Sequence, residues 1–272
     1  MINAASHWTR TTLPRMARRI VFALAYTAGI VALWWLAIRI FAVPSYLVPP
    51  PDEVFASLGR MPAYYARHFS ITLWEAALGL LWGFTTGITL GALIRYGSWV
   101  GRLLAPAVLA LQTFPVFALA PIFSVYLSYN TARVVVCGLI VLLPAVIHTW
   151  RGLACTPRNV AMTMRVMGAS GFQRFWFADR VYATPHILAA WRQSSLLAVI
   201  GAVVGEFSIP SSGGLAYCIQ VSMQWKDKVF ACLILLGIMG GMFYGVAVLT
   251  DVLATFRYER GESRERNIDY ET

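Results

Sequence analysis

The sequence predicts an all-α integral membrane protein with six transmembrane helices, and three observations carry that class. Hydrophobic residues make up 58% of the 272-residue chain and charged residues only 12%, with a mean hydropathy of +0.64. A soluble domain of this length needs more charge to cover its surface. Six apolar runs, residues 20–43, 71–94, 103–127, 134–150, 187–209 and 229–253, reach or approach the roughly 20 helical residues that cross a hydrocarbon core. The runs are continuous and do not alternate, which excludes the strands of a membrane β-barrel. No internal repeat or low-complexity linker divides the chain. Residues 20–256 are therefore expected to form one transmembrane domain between an N-terminal segment, 1–19, and a C-terminal tail, 257–272.

Basic residues orient the spans. With the N-terminus in the cytoplasm, sixteen arginines fall on that side and only Arg39, Arg60, Arg67, Arg133, Lys226 and Lys228 fall outside. That asymmetry predicts cytoplasmic termini. The net charge of +10 does not point to nucleic acid, because the arginines are spread between spans and are not gathered on one soluble face. The first run reads as a retained span, being too long for a signal peptide and lacking a small-residue cleavage site. The cysteines Cys137, Cys155, Cys218 and Cys232 have no Cys-x-x-Cys spacing, and the histidines are scattered. Both sets read as packing residues, with no metal, cofactor or disulfide framework expected.

The elements follow in order. After the first span, Pro49-Pro50-Pro51 forces an extended lead-in, and Asp52 and Glu53 suit the first turn of a short external amphipathic helix through Gly59. Gly79, Gly83, Gly87 and Gly91 recur every four residues in the second span, a smooth stripe for close helix contact. Gly237, Gly240, Gly241 and Gly245 form a looser stripe in the sixth. Glu75 and Asp251 read as span-end residues. Pro115 and Pro121 in the third run, and Pro144 in the fourth, are expected to interrupt their helices and free backbone carbonyls, as in a helix lining a pathway. Between the fourth and fifth runs lies a basic polar island, residues 151–186. Thr156 is expected to cap a helix that has Pro157 at its first position, and Gly168 to close it in the left-handed conformation. Ser170 with Gln173 forms a capping box for a second helix, so the island reads as a helix pair outside the bilayer. In the fifth span, Glu206 near the outer end reads either as a group lining the external mouth with Ser208 or as an interfacial carboxylate reaching water. The charged tail is expected to fray.

Several of these segments, in order and spacing, resemble the permease subunit of a bacterial ABC importer. The family is that of the sulfonate, taurine, nitrate and thiamine-precursor permeases, the binding-protein-dependent transport inner-membrane components. The resemblance rests on Val43-Pro44-Ser45-Tyr46-Leu47-Val48-Pro49-Pro50-Pro51 and on Phe114-Pro115-Val116-Phe117-Ala118-Leu119-Ala120-Pro121. It rests equally on Met167-Gly168-Ala169-Ser170, and on Val203-Val204-Gly205-Glu206 leading to Gly213-Gly214-Leu215-Ala216-Tyr217. It implies that the island is a coupling helix pair between spans four and five, seated in a cleft of an ATP-hydrolysing subunit. Arg165, Gly168, Ala169, Ser170, Phe172, Phe175 and Pro185 would shape that contact. It further implies cytoplasmic ATP-binding subunits and a periplasmic or lipid-anchored solute-binding protein. A second permease subunit, identical or different, would complete the pathway across the bacterial inner membrane. The permease itself would carry no catalytic residue. The solute would be a small polar molecule, a sulfonate-like anion or a heterocycle such as a thiamine precursor. Two departures from the family pattern stand out: Met162-Thr163-Met164 where the family has Glu-Ala-Ala, and Arg180-Val181 where it has Leu-Pro.

Two other classes compete. Gly168-Ala169-Ser170-Gly171 matches the short motif of a rhomboid-like intramembrane serine protease, but a nucleophile needs a base within reach, and the sixth span contains no histidine. Phe172, Phe175 and Trp176 also suit an interfacial helix dipping into lipid headgroups. A secondary transporter working without an ATPase would show inverted repeats and midplane coupling residues, and neither is evident.

Overall fold

The computed structural model describes residues 25–26, 28–97, 99, 101, 103, 106–108, 110, 114–210 and 212–269, with side chains placed up to residue 254. The expected N-terminal segment, the first residues of the first span and the last three of the tail lie outside the described residues. Among the described residues every regular element is helical: α1 (Ala28–Ile40), α2 (Pro51–Arg60), α3 (Pro62–Tyr96), α4 (Val116–Tyr126), α5 (Tyr129–Ala154), α6 (Arg158–Val166), α7 (Gly171–Arg174), a π-helical turn (Phe175–Asp179), α8 (Arg180–Ser208), α9 (Leu215–Val221) and α10 (Lys226–Asp269). Within them, four helices are long and apolar enough to cross a membrane: Pro62–Tyr96, Tyr129–Ala154, Gly171–Ser208 and Lys226–Ala254. They contain expected spans two, four, five and six. Spans one and three fall partly outside the described residues, which hold for them the shorter apolar helices α1 and α4.

The chain divides into two compact units, one of residues up to Pro62 with Ser222–Ala231, the other of Ala63–Val221 with the residues from Cys232 on. In the first, Pro50 is extended, Pro51 opens α2, and Asp52 and Glu53 occupy its first turn, as the proline run predicts. Pro51, Val54 and Ser57, three residues apart, form its buried side. Trp34 stacks on Phe230 at 5.7 Å.

The second unit is built around α5. The glycine stripe of α3 lies against it, and side chains on α3 would keep the two backbones apart. A Cβ at Gly83 would stand 2.8 Å from Gly138 Cα, at Gly87 2.9 Å from the Leu142 carbonyl, and at Gly91 2.7 Å from the Val146 carbonyl. Next to that seam, α5 meets α8 through Gly201 beside Cys137 and Gly205 beside Arg133. Ala76, Leu80, Cys137, Val141, Ala198 and Ala202 fill the space between the three helices. Small residues at such seams let backbones approach closely enough for dispersion to hold them without a hydrophobic driving force. At Gly237, Gly240, Gly241 and Gly245 of α10, by contrast, an added Cβ would meet nothing within 4 Å among the described residues.

Several expectations are corrected. α3 begins at Pro62, nine residues before the expected Ile71, because Tyr65, His68 and Thr72 turn inward and are buried, so polar residues continue the helix. Pro144 sits inside an unbroken α5, with Ser128 capping its start through a 3.4 Å bond from the Thr131 amide. A helix packed against two others tolerates the one hydrogen bond proline removes. Pro121 is likewise inside α4, whereas Pro115 precedes it in an extended conformation. Thr156 is not the cap of α6. Pro157 is itself extended at the cap position and Arg158 is the first helical residue, while the Thr156 hydroxyl donates to Asp179 Oδ1 at 2.6 Å. The second helix of the island is not separate: from Gly171 it runs through the π turn into α8 as one 38-residue rod. Pro185, inside α8, does not break it. The backbone of α10 is helical through Asp269, consistent with the high helix propensity of Glu and Arg.

Candidate functional site

At the α5–α6 end of the second unit, the island closes as its sequence requires. Gly168 has φ +73°. Its amide donates to the Arg165 carbonyl at 3.0 Å, and the Ala169 amide reaches back to the Met164 carbonyl at 2.9 Å. That pair of bonds is a Schellman closure, which satisfies carbonyls the helix end leaves open. Two residues later the capping box forms in full: the Ser170 amide donates to Gln173 Oε1 at 2.8 Å and the Gln173 amide to Ser170 Oγ at 3.3 Å. The turn is thus fixed locally, and it presents apolar side chains to the surroundings. Met162, Val166, Met167 and Phe172 are 63%, 89%, 76% and 72% exposed. Phe172 stacks on Trp176 at 6.2 Å. Arg165 is exposed beside them, Ala169 is half-buried and Pro185 is exposed on α8. Phe175 turns inward, edge-on to Tyr96 at 5.9 Å.

Beneath the turn sits a polar node. Asp179, fully buried, accepts from Tyr96 at 2.7 Å and from Thr156 at 2.6 Å. Arg174 Nε stands 3.3 Å from its carboxylate, near enough for charge attraction but out of line for a hydrogen bond. One side chain in the π turn therefore ties together the end of α3, the α5–α6 junction and the start of the α8 rod. π turns of this kind recur where a helix must aim a functional side chain.

At the opposite end of α8, Glu206 is 1% exposed and so does not reach water. One carboxylate oxygen accepts from Thr72 Oγ1 at 2.6 Å, and the other from the Ala216 and Tyr217 amides at 2.8 and 3.3 Å. It caps the first turn of α9, where a negative charge meets the positive end of the helix dipole. Thr72 Oγ1 accepts the Leu215 amide at 2.8 Å and His68 Nδ1 the Gly214 amide at 3.0 Å. Gly214 has φ +114°, and any Cβ there would collide with the Glu206 carboxylate. Beside this cap, Arg133 pairs with Glu75 at 2.8 Å, both buried, and donates to the Tyr129 carbonyl at 3.2 Å. Glu75 is thus an interior residue of α3, not a span-end group. Ser208 is half-buried two residues beyond Glu206; Pro115, just before α4, and Pro121 within it are exposed. Between them Ala120 packs with Ala132, Val136 and Ile209.

The coupling candidates Gly168, Ala169, Ser170 and Phe172 share one turn, while the segments that carry Pro115, Pro121 and Ser208 meet through Ala120 and Ile209. Sequence reading missed Asp179, Tyr96 and the Glu75–Arg133 pair, all joined by contacts between residues far apart in the chain. An acid and a base within apolar runs were the available signal. Ser170 Oγ is occupied by its capping bond.

A family model described as "Binding-protein-dependent transport system inner membrane component" matches residues 83–257. The formylaminopyrimidine transport permease protein ThiX of Halalkalibacterium halodurans is 31% identical over 233 residues, 84% of this chain and 92% of the relative. The putative aliphatic sulfonates transport permease protein SsuC of Bacillus subtilis is 26% identical over 222 residues, 80% of each chain. Among solved structures, an inward-facing MetNI methionine ABC transporter aligns with a TM-score of 0.59 at 17% identity, covering 70% of this chain and 96% of that one. This last likeness shows the fold alone.

Proposed function

The chain belongs to the family of binding-protein-dependent transport system inner membrane components and is the permease subunit of an ABC importer, and we propose that its α6–α7 turn couples ATP hydrolysis in a partner subunit to movement of the spans. The observation that carries this reading is the rigidly closed turn at Gly168, offering apolar residues that no described part of the second unit covers. An exposed apolar patch of that kind marks a partner surface. The basic island is the cytoplasmic face under the positive-inside rule, which gives both termini the same side. A solute-binding protein then delivers cargo at the Glu206 end. The pathway runs between this subunit and a second permease, with partner binding and hydrolysis biasing inward-facing and outward-facing states.

Glu206 serves this pathway as a brace, since both its oxygens are committed to α9 and Thr72. Ser208 on α8, with Pro121 on α4 and Pro115 at its start, borders the route at that end. A small heterocycle of the formylaminopyrimidine type is the favoured cargo, given the ThiX relative, with an aliphatic sulfonate second. The ligand retained by the co-purifying binding protein identifies it.

The coupling reading is tested at Gly168. A β-branched side chain at φ +73° is strained by about 1–2 kcal/mol even though its Cβ meets nothing within 4 Å. Gly168→Val should therefore leave a membrane-inserted, normally abundant permease that loses its ATPase on purification or hydrolyses ATP without uptake. Unchanged uptake with the ATPase still bound would remove the coupling role and leave the Phe172–Trp176 face as a lipid-surface element.

A further inference from the structure

We infer that Cys218 and Cys232 form a disulfide, a covalent link between α9 and the first turns of α10. Thirteen residues separate them in the chain, so no motif spacing announces the pair. The fold brings their sulfurs to 2.9 Å, with both side chains fully buried. Carbon atoms, smaller than sulfur, rest in contact at about 3.5–4.0 Å, so two thiols at this separation are crowded unless bonded. The other two cysteines have different surroundings: Cys137 Sγ points at the Ala198 carbonyl at 3.3 Å, and Cys155 is exposed.

The chemistry is thiol–disulfide exchange with a protein disulfide of an oxidising compartment. One cysteine thiolate attacks that disulfide, breaking its S–S bond and forming a mixed disulfide with one oxidant thiol released. The second cysteine thiolate then attacks the mixed disulfide and displaces the other oxidant sulfur. The Cys218–Cys232 bond replaces the oxidant's bond, and the two electrons and two protons leave as the oxidant's two thiols. Because both cysteines are inaccessible in the fold, exchange precedes the burial of α9 and α10. The sidedness proposed above puts this end in the outer compartment, where such bonds persist. The bridge would fasten α9, already held at its start by Glu206, to the helix that follows it.

The test needs only the whole chain, expressed in its membrane and purified in detergent, with N-ethylmaleimide present from lysis and no reductant. After denaturation, mass spectrometry should find two maleimides per chain, at Cys137 and Cys155, and four only when reduction precedes alkylation. The bridged chain should weigh about 2 Da less than the reduced one, and digestion should release the Cys218- and Cys232-containing peptides as one linked species. Cys232→Ser should give three maleimides with or without reductant. Four maleimides without reduction would overturn the inference, whether the thiols are idle or hold a soft metal ion that denaturation releases.

Discussion

At the scale of single residues, Glu206 shows how an acid inside an apolar run is accommodated by hydrogen bonds within the fold. Burying a carboxylate is expensive, and here three donors offset the expense: two α9 amides and the Thr72 hydroxyl. The substitutions separate charge from hydrogen bonding. In Glu206→Gln the amide oxygen can still take the Ala216 and Tyr217 amides while its nitrogen donates to Thr72, so only charge assistance is lost. That should cost about 1–2 kcal/mol, the difference between charged and neutral bonds plus the dipole contribution. In Glu206→Ala the two amides lose their acceptor in a buried site, each at about 1–3 kcal/mol, and the Thr72 hydroxyl keeps only its 3.3 Å bond to the His68 carbonyl. The expected result in detergent is a glutamine variant that accumulates normally and unfolds at a modestly lower temperature, and an alanine variant that fails to accumulate. An alanine variant as stable as wild type would show the cap to be idle. Gly214 belongs to the same device, since only a glycine holds φ +114° against that carboxylate.

At the scale of elements, local signals were legible and long-range ones were not. The Gly168 closure and the Ser170–Gln173 box are completed within short stretches of chain, so sequence alone specifies them. Thr156 looks like a cap by the same logic, yet Asp179, 23 residues away, takes its hydroxyl. No spacing rule reports that competition. The glycine stripe of α3 was legible as a seam, but its partner α5 emerges only from the fold. The Asp179 node predicts how the island is held to the spans. Tyr96→Phe keeps the edge-on contact with Phe175 and deletes only the 2.7 Å bond to the carboxylate. A hydrogen bond to a charged group contributes about 1.5–3 kcal/mol. Thermal unfolding in detergent should fall accordingly, and uptake per ATP hydrolysed should fall with it, because the turn is then less firmly joined to α3. A variant that matches wild type in both measurements would make Asp179 an incidental contact.

At the scale of the whole molecule, composition and run length gave the helical membrane class, and continuous helices bear it out at four of the expected spans. The boundaries were less legible because hydropathy stops at polar residues and helices do not. α3 carries Arg67 and His68 within its first two turns, and the α8 rod begins in the polar island at Gly171. Orientation is a separate property, set by where basic residues lie and tested by chemistry. Cys155 is exposed at the α5–α6 junction, while Cys137, Cys218 and Cys232 are buried. The wild-type protein thus presents one reactive thiol, beside a segment that contains Arg151, Arg158 and Arg165. If the basic island faces the cytoplasm, a membrane-impermeant maleimide should leave the permease unlabelled in intact spheroplasts. In inverted vesicles it should add one label per chain at Cys155, and Cys155→Ser should abolish that label. Labelling of Cys155 from the outside would reverse the sidedness, and with it both the coupling surface and the compartment assigned to the Cys218–Cys232 bridge.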